Sequence, residues 1–133
     1  MRRLLAALAL VVVLPLSACD LTGPSDTIHG TYKLRTVDGR TLPWLAIRAG
    51  ADRIEIASGQ VTLNEDGTYQ DVTIYTVTEN GATHPETERY EGTFAKSAVG
   101  AILRPKSGQP YTAAIVGTKM TQEFGGFQYV YQK

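Results

Sequence analysis

Cysteine occurs once in this chain of 133 residues and histidine twice. A single cysteine makes no internal disulfide, so in an oxidising compartment the fold must hold by core burial alone. Catalysis by a Ser-His-Asp or Cys-His arrangement needs a nucleophile with a histidine base in hydrogen-bond reach. Here His29 precedes the first patterned segment and His84 stands directly before Pro85, neither beside an obvious serine. No reaction is therefore expected. Basic excess is also missing, with 13 basic against 13 acidic side chains, and a nucleic-acid binder needs a basic surface to neutralise phosphates. No glycine-rich loop follows a strand and opens a helix, so neither a nucleotide nor any other cofactor is expected. The longest apolar run, residues 4–14, has 11 residues. A helix that crosses the hydrocarbon core needs about 20.

That run is nonetheless informative. Arg2 and Arg3 precede it, Pro15 follows it, and small residues lead to the cysteine, which is the build of a secretory signal. Leu16-Ser17-Ala18-Cys19 resembles a bacterial lipobox, cut just before its cysteine. The resemblance implies a signal peptide over residues 1–18, a thioether-linked diacylglycerol on Cys19, and a membrane as partner. The alternative is an ordinary signal whose cysteine is incidental. Two or three acyl chains, at about 0.8 kcal/mol per buried CH₂, make a stable anchor. The expected location is the bacterial cell envelope. Asp20 resembles the signal that holds lipoproteins at the inner membrane in enteric bacteria, and inner against outer membrane stays open. Processing would leave 115 residues with 11 basic and 13 acidic side chains, one domain by size. Residues 19–29, with Gly23, Pro24 and Ser25, read as the lipidated start and a tether.

From residue 30 to 133 the chain changes to short runs rich in Thr, Tyr, Val and Ile between turn signals. The punctuation is Asp38-Gly39, Ser58-Gly59, Asp66-Gly67, Asn80-Gly81, Ser107-Gly108, Gly117 and Gly125-Gly126. It predicts strands at residues 30–37, 53–58, 60–64, 68–78, 88–96, 99–104, 111–116, 118–124 and 127–132. No segment after the signal has a sustained helical period. The fold class is therefore all-β: an antiparallel up-and-down meander of eight or nine strands, closed into a barrel to remove its edges. Alternation puts Tyr32 with Leu34, Val61 with Leu63, and Tyr90 with Phe94 on inward faces. Residues 68–78 are ambiguous, because Tyr69, Tyr75 and Val77 share one parity while Val72 and Ile74 share the other; a bulge or burial on both faces would explain it. Residues 40–52 break the strand pattern with Leu42, Pro43, Trp44, Leu45 and Ile47. They are expected to form an apolar loop over one barrel end, with a short helical turn at residues 43–48.

Metal ligands have one weak candidate set, His84 with Glu86 and Glu88, which alternate and would share a face if that segment were extended; a solvated hairpin tip is the favoured reading, and no metal is expected. Asn64-Glu65-Asp66-Gly67 lacks the spaced ligands of a calcium loop and reads as a type I turn with a glycine bulge. Gly-Thr-aromatic recurs at Gly30-Thr31-Tyr32, Gly67-Thr68-Tyr69 and Gly92-Thr93-Phe94. With the Leu42-Pro43-Trp44 loop and the closing Tyr129-Val130-Tyr131, this order resembles small bacterial lipoproteins with lipocalin-like barrels. The resemblance implies a barrel whose interior holds a small hydrophobic or amphipathic ligand. The expected ligand-facing residues are Tyr32, Leu34, Leu63, Tyr90, Phe94 and Ile115, with Trp44 near the mouth. The competing expectation is a packed, ligand-free barrel that binds an envelope protein, as a hydrolase inhibitor or assembly factor.

Overall fold

The computed structural model describes residues 27–133; the readings of the signal segment, of Cys19 and of the tether up to Asp26 lie outside the described residues. Three two-residue turns have positive φ at both positions: Asp38-Gly39 (50° and 72°), Asn80-Gly81 (52° and 79°) and Gly125-Gly126 (59° and 83°). Type I′ turns require this, and their twist matches that of antiparallel strands. The strands are β1 (Gly30–Val37), β2 (Arg40–Thr41), β3 (Trp44–Ala49), β4 (Asp52–Leu63), β5 (Thr68–Glu79), β6 (Ala82–Ser97), β7 (Gly100–Pro105), β8 (Tyr111–Val116), β9 (Lys119–Phe124) and β10 (Phe127–Gln132). No helix occurs among the described residues.

Eight of these strands, β1 and β4 to β10, pair antiparallel in the order β1-β10-β9-β8-β7-β6-β5-β4 and close into a barrel where β1 meets β4. The expected up-and-down barrel is therefore formed, with β2 and β3 as additional strands. The seam is short. Gly30–Lys33 pairs with β4, while Thr36 and Val37 turn to β2 and the first residues of β4 turn to β3.

Two expectations about boundaries are corrected. Ser58-Gly59 is no turn, because β4 runs through it, with a bulge between Ile56 and Ser58. Inserting one residue swaps the inward parity, so Ile56 above the bulge and Val61 and Leu63 below it are all buried. Gly59 faces inward there, where a Cβ would lie 3.1 Å from Leu34 Cδ2. The register swap considered for residues 68–78 belongs to this strand instead, since β5 pairs with β6 without any shift. Residues 40–52 form β2 and β3, not a loop with a helical turn. The seam accounts for Trp44, buried edge-on against Phe127 with ring centroids 4.9 Å apart, while Leu42 is half-buried and Leu45 and Ile47 stay exposed.

The β4–β5, β6–β7 and β8–β9 turns share one end of the barrel, and this half is packed solid. Tyr32, Leu63, Leu103, Ala113 and Met120 are fully buried, with Phe94 and Tyr131 joining the same cluster. Each large side chain removed from water contributes about 1.5–3 kcal/mol. The Asn64–Gly67 turn stitches this end as expected: Gly67 N donates to Asn64 O (3.2 Å), Thr68 N to Asp66 Oδ1 (2.9 Å), and Gly67 has φ 83°. The chain also crosses here before entering β1. Tyr32 Oη donates to Ile28 O (2.8 Å), His29 lies edge-on to Phe94 at 5.8 Å, and Lys133 Nζ donates to Thr27 O (2.9 Å).

A tyrosine-lined cavity at the open end

The inward positions change character in the upper half. Continuous β5–β6 pairing sets Asp71 opposite Tyr90, Thr73 opposite Glu88 and Tyr75 opposite Glu86. Alternation then turns Asp71, Thr73 and Tyr75 of β5 to the same side as Glu88 and Tyr90 of β6. Facing them are Tyr111 of β8, Gln122 and Phe124 of β9, and Tyr129 and Tyr131 of β10. Together they enclose a cavity of about 290 Å³, rimmed by the β7–β8 connection at Pro105, Ser107, Gly108 and Gln109. That connection is tied back to β6, because Lys106 N donates to Glu91 O (2.8 Å) and Lys106 Nζ to Glu91 Oε2 (3.2 Å). Glu91 is held below the usual carboxylate range by this lysine and by Gln70.

Five of the lining residues are tyrosines, and three of them are fixed by carboxylates. Tyr75 donates to Glu88 Oε2 (2.9 Å), Tyr90 to Glu88 Oε1 (2.6 Å) and Tyr111 to Asp71 Oδ2 (3.3 Å). Hydrogen bonds to a charged acceptor are the strong ones, so the Glu88 pair sets the posture of both rings. Their hydroxyls stay protonated at any physiological pH. Donation to Glu88, then burial, pushes Tyr90 up to about 12, and burial raises Tyr75, Tyr111 and Tyr131 well above the phenol range. The two acids differ in setting. Glu88 is exposed at the mouth, whereas Asp71 is 8% exposed. Burial, with Glu88 repulsion adding to it and the Tyr111 hydrogen bond opposing it, pushes Asp71 up to about 6.

Of the seven residues expected to face a ligand, Tyr90 alone lines this cavity. Tyr32, Leu34, Leu63 and Phe94 are buried in the packed cluster, with Ile115 half-buried against it. Trp44 covers the seam rather than the mouth. His84, Glu86 and Glu88 do share one parity of β6, and His84 Nε2 lies 3.4 Å from Glu86 Oε1. Glu88 is engaged elsewhere, by the two tyrosines, and no metal-ligating cluster is found among the described residues. Asp71 and Tyr111 were not singled out from the sequence, and Tyr75, Glu88, Tyr129 and Tyr131 were named there for reasons other than this cavity. One signal was available: Asp71 shares the parity of Tyr69, Tyr75 and Val77, and an acid on an inward face is the informative kind of exception.

No family model, no curated protein and no solved structure matches this chain.

Proposed function

We propose that the protein binds or carries a small amphipathic molecule in the upper barrel cavity, while lipid on Cys19 holds it to a membrane of the bacterial envelope. One observation carries the reading. A barrel of eight strands is narrow enough to be filled by its own side chains, and the lower half of this one is filled, yet about 290 Å³ stays open above it. The volume is at the small end of the roughly 300–1,000 Å³ of ligand sites, and an apolar wall with a few convergent polar groups is their usual make-up. The openness has a cause: hydroxyl-to-carboxylate bonds hold Tyr75, Tyr90 and Tyr111 in place, so that the rings line the cavity without filling it.

The chain enters β1 at the packed end, where Thr27 meets Lys133. An anchor at Cys19 would thus hold the packed end toward the membrane and the cavity toward water, which favours exchange with an aqueous carrier over extraction from the bilayer. Native mass spectrometry of the protein purified gently from its host tests the reading. Extra mass that leaves on denaturation, and that is lost when Tyr111→Trp fills the cavity, is the expected result. A clean mass from wild-type protein, with every candidate amphiphile failing to bind, would overturn it.

The protein-binding reading is supported by one feature. Among the described residues β3 ends the strand order with its outer edge unpaired, and it carries Leu45 and Ile47, the latter 57% exposed. Such an edge invites a strand from another chain.

A further inference from the structure

We propose that the guest of the upper cavity is a cation, a small amphiphile whose ammonium, amidinium or guanidinium head sits between Asp71 and Glu88 while its apolar part lies against the tyrosine rings. This inference rests on the small-molecule reading and adds the sign of the charge.

The charge inventory of the wall comes first. It holds two carboxylates and, among the described residues, no lysine, arginine or histidine. The ion pairs found among the described residues are Arg53–Glu55, His84–Glu86 and Lys106–Glu91, so neither Asp71 nor Glu88 has a basic partner. An anionic or fatty-acid head would meet like charge here. Glu88 at the mouth is solvated, but Asp71 is 8% exposed. Among the described residues it receives one side-chain hydrogen bond, the 3.3 Å contact from Tyr111. A buried carboxylate without a cation is costly. A positively charged guest removes that cost, where a neutral guest does not.

The tyrosines point the same way. Tyr75 and Tyr90 spend their hydroxyl protons on Glu88, and Tyr111 spends its own on Asp71. What they present to a guest is ring face and lone pair, and a ring face attracts a cation through its quadrupole. The two carboxylates sit at diagonal cross-strand positions, Asp71 opposite Tyr90 and Glu88 opposite Thr73. Such neighbours lie about 7–8 Å apart, close enough for one head with several N–H groups to bridge them. Size sets the upper limit. About 290 Å³ is the share of roughly ten waters at about 30 Å³ each, which fits a head group and one ring or a short chain.

Binding should depend on pH through Asp71, whose carboxyl holds its proton up to about 6. The groups that face it are Glu88 and Tyr90 from β6, Tyr111 from β8, Gln122 from β9, and Tyr129 and Tyr131 from β10. The facing tyrosines are all raised above the phenol range, so a change between pH 5 and 7.5 comes from Asp71.

The test is calorimetric titration of the full chain in a non-ionic detergent, at about 0.3 M salt to screen exposed charges. Three probes share one ring and tail length: 2-phenylethylammonium, 2-phenylethanol and 3-phenylpropionate. The expected result is that the ammonium binds at least about tenfold tighter than the alcohol at pH 7.5 and that the carboxylate does not bind. Asp71→Asn and Glu88→Gln should each weaken the ammonium about tenfold while moving the alcohol less than about threefold. Lowering the pH to 5 should weaken the ammonium about tenfold in wild-type and Glu88→Gln protein but not in Asp71→Asn. If ammonium and alcohol bind equally well and both are lost in Tyr111→Trp, the cation inference is overturned and the small-molecule reading stands. Preferential binding of 3-phenylpropionate has the same meaning. If none of the three binds at either pH, both are overturned.

Discussion

Asp71 should cost the unliganded protein stability at neutral pH that it does not cost at low pH, and Asp71→Asn should remove that cost. In the unfolded chain this carboxyl titrates near its ordinary value of 3.8, whereas burial holds the proton in the folded state up to about 6. Well below pH 3.8 both states are protonated and the residue contributes nothing. As the pH rises from 4 to 6 the unfolded chain gives up its proton first, so folding is progressively penalised. Above 6 the penalty is complete. A gap of about two pH units at about 1.4 kcal/mol each amounts to about 3 kcal/mol, a large share of the 5–15 kcal/mol typical of a domain. Asparagine keeps an acceptor for the Tyr111 hydroxyl and cannot ionise. The variant should therefore gain about 3 kcal/mol over wild type at pH 8 and less than about 0.5 kcal/mol at pH 4.

Urea unfolding read from Trp44 measures this, since the one tryptophan of the chain is buried against Phe127 and leaves that contact on unfolding. Only the difference between the two proteins at each pH matters, because every other titrating group cancels in it. A difference that is flat from pH 4 to 8, or a variant no more stable at pH 8, would refute the argument that Asp71 is buried without a compensating cation.

Three further outcomes are expected. Tyr111→Phe removes the one hydrogen bond that favours the charged form of Asp71, so the carboxyl carbon of Asp71 should titrate at a higher pH in carbon-detected NMR; an unchanged or lower midpoint would mean that the 3.3 Å contact is not a hydrogen bond. Gly92→Ala places a Cβ 2.0 Å from the Arg104 carbonyl oxygen, backbone against backbone in the β6–β7 ladder, and should cost more than about 2 kcal/mol in the same urea assay. Cys19→Ser should move the protein from the membrane to the soluble fraction, and persistence in the membrane pellet would end the lipobox reading.

The barrel was legible because it obeys the two local rules that a sequence displays. Asp38-Gly39, Asn80-Gly81 and Gly125-Gly126 gave three I′ turns, and alternation gave Tyr32, Leu34, Val61, Leu63 and Phe94 as buried. What failed did so for reasons of register. Ser58-Gly59 has turn composition, but glycine there allows the close approach of Leu34, and the strand continues through a bulge. Leu42 to Ile47 reads as an apolar loop, but it pairs as a strand where β1 and β4 splay, which buries Trp44 at the seam and leaves Leu45 and Ile47 exposed. Neither cause is local, so neither can be read from composition.

The cavity was missed because an inward-pointing search was restricted to apolar residues. On β5 the alternation Tyr69, Asp71, Thr73, Tyr75, Val77 is regular, and its acid sits in the middle of the inward face. A sequence optimised only for stability would place an uncharged side chain there, since an uncompensated carboxylate costs about 3 kcal/mol at neutral pH. The same register that exposes this cost also places Glu88 on the diagonal and five tyrosine rings around it. The departure from the packing rule, Asp71, is thus one of the two charged groups that line the cavity among the described residues. That coincidence is what a cationic guest would explain: the charge that weakens the empty barrel becomes half of an ion pair in the loaded one, and at saturating ammonium probe loading should raise stability at pH 7.5 more than at pH 5 by about 1.4 kcal/mol, the tenfold difference in affinity.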